Sequence, residues 1–336
     1  MPVLIVTTEK SGIDRYSQEL AKRLDVKTIE TQRYLSLIKA FRLFKKVQGE
    51  RDIVHLPNQN FARYALFLNN PFIVTVHDVI RFCFDFSDET VSEKLLLKLD
   101  IRGIKRANRI IAVSQHTKND LTKHFKIPEN KISVIYNGID HTVFKPYQVK
   151  LLDKPYILYV GSERPRKNLG RLFAAFAKLK PEFPELKLLK IGAAGRSKEY
   201  RRDTIKQIAD SGISQDIIFV DRASETDLAH YYSSAALLAY PSLYEGFGLP
   251  PLEAMACGCP VVTSNISGLP EVVGNAGIII DPYDIDSLAQ AMKQVLTDNK
   301  KREEMVAKGL TQARKFSWER AAQETLKVYK KVTGER

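Results

Sequence analysis

Residues 241–260 read PSLYEGFGLPPLEAMACGCP and follow the apolar run Ala236–Tyr240, ALLAY. The run predicts a short buried strand, Gly246 and Gly248 a loop, and Pro250-Pro251 the first turn of a helix ending near Cys257. A strand–glycine loop–helix junction presents backbone N–H groups and the positive end of a helix dipole, which suits an anion such as a diphosphate. The amides of Gly246, Phe247, Gly248 and Leu249 are therefore the first candidates to bind it. Such loops belong to doubly wound α/β domains, in which ligands bind beyond the carboxyl ends of parallel strands.

Two acids flank the loop, Glu245 before it and Glu253 one turn into the helix. A site for an anion has no electrostatic use for either, so both are expected to accept hydrogen bonds from vicinal hydroxyls. A ligand with sugars on both sides of a diphosphate is a nucleotide sugar. The pattern resembles the E-x7-E signature of GT-B retaining glycosyltransferases, in particular glycosyltransferase family 4 (group 1), and the resemblance continues through Ser264–Asp281, SNISGLPEVVGNAGIIID. It implies an α/β fold of GT-B type, with two Rossmann-like doubly wound domains facing across a cleft. It also implies a hexosyltransferase of mannosyltransferase-like character, taking GDP-mannose or a UDP-hexose as donor and a hydroxyl of a glycan, lipid-linked or small-molecule acceptor.

Length and composition agree with two domains. At 336 residues the chain is long for one core. It has no run of about twenty apolar residues and no charged segment ahead of its first apolar stretch, so the expectation is a cytoplasmic protein without a spanning helix. Cys83, Cys257 and Cys259 are too few for a disulfide framework, and the C-x-C pair has no nearby histidines to complete a metal site. All three read as buried small residues. The net charge is +13, and residues 1–150 carry 25 Lys/Arg against 16 Asp/Glu, net +9. No nucleic-acid-binding signature accompanies this excess, so no nucleic-acid partner is expected; an anionic membrane surface is the alternative partner.

In chain order, Val3–Thr8 reads as a strand, with the Ser11-Gly12 turn and a helix over Tyr16–Leu24 after it. Family 4 carries a glycine-rich loop here whose amides lie near the donor phosphates. Gly12, Arg15 and Tyr16 match it, while Asp14 stands where a glycine is usual. Gln32–Gly49 has apolar residues at 34, 37/38, 41 and 44 interleaved with Arg33, Lys39, Arg42, Lys45 and Lys46. This is a basic amphipathic helix, packed on the core with a solvated face or docked on a membrane. Asp52–Leu56, Phe72–Val76 and Arg109–Val113 continue a parallel sheet. His77-Asp78, directly after FIVTV, resembles the family's T-x-H-D element, which places His77 near the transferred sugar and phosphate and lets Asp78 orient it or bind a hydroxyl.

The N-terminal, acceptor-binding domain is expected over 1–145, a linker over 146–154 and the nucleotide-sugar domain over 155–312. A C-terminal helix over 313–336 is expected to cross back to the first domain. After the strand Tyr156–Val160, the segment Pro165–Asn168, PRKN, matches the family's basic motif and assigns Arg166 and Lys167 to the departing diphosphate. The family also places the end of the strand Ile217–Val220 near the base, marking Val220, Arg222 and Ala223. Asp284-Ile285-Asp286 is formally D-x-D, but its place before an amphipathic helix makes it an N-terminal cap and not a metal clamp. The catalytic set is then His77, Arg166, Lys167 and Glu245, with no metal and no cofactor beyond the nucleotide-sugar substrate. The rival readings are another GT-B reaction, epimerisation or phosphorolysis, a nucleotide-sugar binder without transfer, or a basic nucleic-acid-binding α/β protein.

Overall fold

A computed structural model describes residues 2–9, 12–32, 37–47, 53–83, 90–195 and 198–334. The chain divides into two compact units, Met1–Gly138 with Phe316–Arg336, and Ile139–Lys315. The first unit runs β1 (Val3–Thr7), α1 (Gly12–Ala21), β2 (Lys27–Thr31), α2 (Leu37–Val47), β3 (Val54–Leu56), a 3-10 segment (Gln59–Phe67), β4 (Phe72–Val76), α3 (Ile80–Cys83), α4 (Val91–Arg106), β5 (Arg109–Ala112), α5 (Gln115–Phe125) and β6 (Ile132–Val134). Its six strands are parallel in the order β2-β1-β3-β4-β5-β6. Strands β1 and β4 are buried at every position, as a sheet covered by helices on both faces requires.

The second unit runs β7 (Tyr156–Val160), α6 (Leu169–Leu179), β8 (Lys187–Ile191), α7 (Lys198–Asp210), β9 (Ile217–Val220), α8 (Glu225–Ser234), β10 (Leu237–Tyr240), α9 (Leu249–Ala256), β11 (Val261–Ser264), α10 (Leu269–Val273), β12 (Ile278–Ile280), α11 (Ile285–Thr297) and α12 (Asn299–Ala313). The strand order is β12-β11-β10-β7-β8-β9, again all parallel. The chain builds β7, β8 and β9 in one direction and then returns to the other side of β7 to lay down β10. The loops after β7 and β10 therefore open side by side at a topological switch point, where such sheets take their ligands.

Helix starts follow their caps. Ser114 accepts from the Thr117 amide at 3.0 Å, and Ser224 with Asp227 forms a reciprocal capping box. Asp284 accepts from the amides of Asp286 and Ser287 at 2.9 and 3.0 Å, so the formal D-x-D is a helix cap. The last helix, α13 (Trp318–Thr333), belongs to the first unit. There Trp318, Ala321, Ala322, Val328 and Tyr329 pack with Leu4, Val6, Tyr16, Leu20 and Ile73 in one buried cluster.

Three expectations are corrected. Cys83 is exposed, because it ends the one-turn helix α3 at the surface, whereas Cys257 and Cys259 are buried. The helix expected over Tyr16–Leu24 begins at Gly12. In α2 the buried face is Ala40, Phe44 and Val47, while Ile38 and Phe41, expected on that face, are 68% and 50% exposed. The i, i+4, i+7 set at 40, 44 and 47 meets the core, and its choice rotates the basic face and two apolar side chains outward together. Residues 33–36 and 48–49 of that expected helix, Asp52 of the following strand and Ser11 of the first turn lie outside the described residues. Among the described residues no helix is long and apolar enough to cross a membrane.

Candidate active site

At the switch point of the second unit one carboxylate oxygen collects four donors. Glu245 Oε1 lies 2.5 Å from Lys167 Nζ, 2.7 Å from Ser242 Oγ, 2.9 Å from Tyr240 Oη and 3.2 Å from Arg166 Nη1. Lys167 also donates to Tyr240 Oη at 2.6 Å, and its ammonium lies 5.0 Å from the centroid of that ring. Burial alone raises the Glu245 pKa, but Lys167, Arg166 and the Lys167 and Ser242 hydrogen bonds outweigh it and hold the group at about 2. Burial pulls the Lys167 ammonium below the ordinary lysine value; Glu245 opposes that pull and Arg166 adds to it. The expectation that the anion site has no electrostatic use for its flanking acids is thus corrected for Glu245. It is the counter-ion that keeps two like charges together in a dry position.

The glycine loop is shaped by backbone requirements. Gly248 adopts φ +124° and opens α9 without a side-chain cap, and Leu249 is the first helical residue behind it. On Gly268 a Cβ would stand 2.7 Å from the Gly246 carbonyl oxygen, so only glycine permits this approach. Across it the Gly268 amide donates to the Glu245 carbonyl at 3.0 Å, and the Glu245 amide donates to Ser267 Oγ at 3.1 Å. The segment after β11 therefore clamps Gly246, Phe247 and Gly248 from behind. Glu253, in the second turn of α9, is buried and accepts from Tyr232 Oη at 3.0 Å.

The loop after β7 carries the cations. Pro165–Lys167 forms a 3-10 turn, and Asn168, left-handed at φ 61°, donates to the carbonyls of Pro241 and Pro282 at 3.0 and 2.7 Å. The Arg166 carbonyl accepts from the Leu243 amide at 2.7 Å, and its guanidinium donates to the Tyr244 carbonyl at 3.0 Å. Two segments 73 to 78 residues apart in sequence are thereby stitched into one surface.

A second ion network escapes sequence reasoning. Glu163 and Lys190, both with side chains at 0% exposure, pair at 2.6 Å. Arg201 binds both Glu163 oxygens through Nε at 2.8 and 2.9 Å. Burial raises the Glu163 pKa, but Arg201 and Lys190 together bring it below the usual carboxylate value. The signal was Lys190 itself, a charge inside the apolar strand KLLKI, which requires a buried partner. Val220 ends β9, and Arg222 and Ala223 follow it at the same carboxyl edge.

In the first unit His77 follows β4 and is buried. Its Nε2 lies 2.9 Å from the Pro57 carbonyl oxygen, its backbone amide donates to Gln59 Oε1 at 3.1 Å, and Tyr16 meets its ring edge-on at 5.0 Å between centroids. Because a carbonyl only accepts, Nε2 is the donor in this bond. The structure thus brings Tyr16 of the first motif onto His77. Asp78 accepts from the Ile80 amide at 3.2 Å. Gly12 opens α1, and Asp14 occupies its first turn, where an acid is favourable against the helix dipole. Among the described residues no group of three or more His, Cys, Asp or Glu side chains is arranged to hold a metal ion.

Two parallel six-stranded sheets with flanking helices are the architecture of the GT-B fold. The family profile described as "Glycosyl transferases group 1" matches residues 141–312, and that described as "Glycosyltransferase Family 4" matches residues 3–143. The O-antigen chain mannosyltransferase B of Escherichia coli is 31% identical, over 95% of this chain and 96% of its own. Among solved structures, sucrose-phosphate synthase from Thermosynechococcus elongatus superposes with a TM-score of 0.80 at 22% identity, covering 99% of both chains. Anabaena HepE, in complex with UDP and glucose, superposes at 0.81 and 17% identity over 97% of this chain and 98% of its own. The chain belongs to the group 1 glycosyltransferase family and is a glycosyltransferase.

The Glu245 cluster sets a pH dependence. With its folded pKa lowered to about 2 from the ordinary 4.5, the unfolded chain takes the proton first. The contribution is whole above pH about 4.5 and is lost as pH falls through about 2. Urea unfolding of the wild type is expected to lose on the order of 3 kcal/mol more than Glu245→Gln between pH 5 and pH 2; parallel pH profiles would show that the charge pairing contributes nothing.

Proposed function

We propose that this glycosyltransferase is a retaining, metal-independent enzyme that moves a hexose, with mannose as the first candidate, from a nucleotide sugar to a hydroxyl of a glycan or lipid-linked acceptor. The observation that carries this is the joining of Arg166, Lys167 and Glu245 beside the N-terminus of α9. Cations and helix amides directed at one place favour a diphosphate, most of all as it gains charge on leaving. Mannose is supported by the name of the E. coli relative, and a nucleotide donor by the ligands of the Anabaena structure. GDP-mannose heads the donors; a UDP-hexose follows.

In this reading the amides of Gly246–Leu249, with Arg166 and Lys167, hold the diphosphate, and Glu253 accepts from the ribose. With Oε1 committed to the cations, Glu245 offers Oε2 to a hydroxyl of the transferred sugar. As the anomeric C–O bond breaks, the diphosphate keeps the electron pair. The acceptor oxygen bonds the same face of the anomeric carbon, and its proton passes to the departing phosphate oxygen. A carboxylate held at about 2 is a poor base, which fits Glu245 as a holder of charge and not an acceptor of protons.

The test is acceptor-dependent release of GDP from GDP-mannose, without metal or inorganic phosphate. Lys167→Ala is expected to lower kcat by about a hundredfold or more. Glu245→Ala is expected to lose transfer and also to weaken diphosphate binding, since it releases the two cations. Wild-type turnover in Glu245→Ala contradicts the assignment. Phosphate-dependent turnover, or conversion of the donor without GDP release, would establish one of the rival reactions.

A second reading concerns location. We propose a cytoplasmic protein docked by α2 on an anionic membrane surface, because Ile38 and Phe41 stand exposed among Lys39, Arg42 and Lys45. The protein is expected to co-sediment with phosphatidylglycerol vesicles at low salt, and less so as Ile38→Ser/Phe41→Ser. No co-sedimentation by the wild type refutes the idea.

A further inference from the structure

The buried ion network around Glu163 joins the parts of the second unit that this reading assigns to the two ends of the donor. Glu163 immediately precedes Arg164 in the cation-bearing loop after β7, and its amide donates to the Ala194 carbonyl after β8 at 3.1 Å. Lys190 of β8 binds Glu163 Oε1 and also the Gly192 carbonyl. Arg201 of α7 reaches from Glu163, 2.7 Å through Nη2, to Asp221, 2.5 Å through the same nitrogen. Asp221 lies between Val220 and Arg222, the segment marked for the base. The Arg201 guanidinium also lies 4.6 Å from the centroid of the Phe219 ring, so its plane is held by stacking as well as by charge.

A fully buried Glu–Lys pair gains little stability over an apolar pair of equal volume. What it does provide is position. Glu163 is fixed on one side by Lys190, which leaves Arg201 with one rigid partner and one exposed partner, Asp221, 61% exposed in its side chain. Glu245 fixes the far end of the same loop through Arg166 and Lys167. The loop is thus held at both ends, and the Glu163 end alone extends toward the segment after β9.

We propose that Arg201 is a positioning residue which holds the base-side segment Val220–Ala223 in register with the cation-bearing loop, so that the two halves of a nucleoside diphosphate bind as one ligand. This rests on the donor-site reading given above. Arg201 touches neither half of the ligand. It acts through Glu163 on one segment and through Asp221 on the other, and losing it costs the advantage of the joined ligand while the diphosphate half is kept by Arg166 and Lys167.

The test is titration calorimetry of the wild type, Arg201→Gln, Asp221→Asn and the double variant with GDP, UDP and inorganic pyrophosphate. The nucleoside diphosphate bound by the wild type is expected to weaken roughly three- to tenfold in each single variant, the range for one partly exposed ion pair. The double variant is expected to be no weaker than Arg201→Gln, because both changes break the same bridge. Pyrophosphate affinity is expected to stay within about twofold of the wild type. Unchanged nucleotide affinity in Asp221→Asn, which alters only an exposed side chain, overturns the inference; so does an equal loss of pyrophosphate affinity. A wild type that binds neither GDP nor UDP removes the donor-site reading, and this inference with it.

Discussion

Two cations adjacent in sequence, Arg166 and Lys167, cannot share a buried position without an anion between them, and Glu245 Oε1 is that anion. The constraint reaches far into the fold. Glu245 must arrive from the loop after β10, the cations from the loop after β7, and only neighbouring strands reversed in chain order place those loops together. Tyr240 and Ser242, also bonded to Glu245, share its strand end and loop. The arrangement stores positive charge in a water-poor place, and the proposed function puts it to use on a ligand whose negative charge grows as a bond breaks.

The same logic explains the glycines. For Glu245 to hold its position, the backbone behind it is bonded to Ser267 and Gly268, and that contact is close enough to bar any side chain at 268. The clamp in turn leaves Gly248 to open α9 in a conformation that other residues rarely adopt. Charge pairing, loop closure and helix start are therefore one structural event. The Glu163–Lys190–Arg201 network repeats the device on the other flank of the cation loop, with a buried carboxylate again bridging segments from different strands.

Much of this was legible in the chain because the relevant signals are local. The strands Phe72–Val76, Tyr156–Val160 and Ile217–Val220 fall where their apolar patterns put them, and the Pro250-Pro251 turn opens its helix as such pairs do. The edge strand β2 escaped notice because its residues are largely exposed and carry no apolar alternation. The rotation of α2 was misjudged because two apolar stripes compete on that helix, and only the packing of Ala40, Phe44 and Val47 decides between them. The spacing Glu245–Glu253 pointed to hydroxyl ligands for both acids but carried no information on the Glu245–Lys167 contact, which depends on strand order and not on sequence distance. Lys190 announced a buried partner without naming it.

In the proposed function the cations held by Glu245 and the amides at the start of α9 form one diphosphate site. A crystal structure of the protein with bound GDP tests it most directly. The diphosphate is expected within hydrogen-bonding distance of the Gly248 or Leu249 amide and of both Arg166 and Lys167, with the Glu245 contacts to those cations preserved. A diphosphate bound elsewhere on the molecule, with Arg166 and Lys167 remote from it, would show that these cations do not form the donor site.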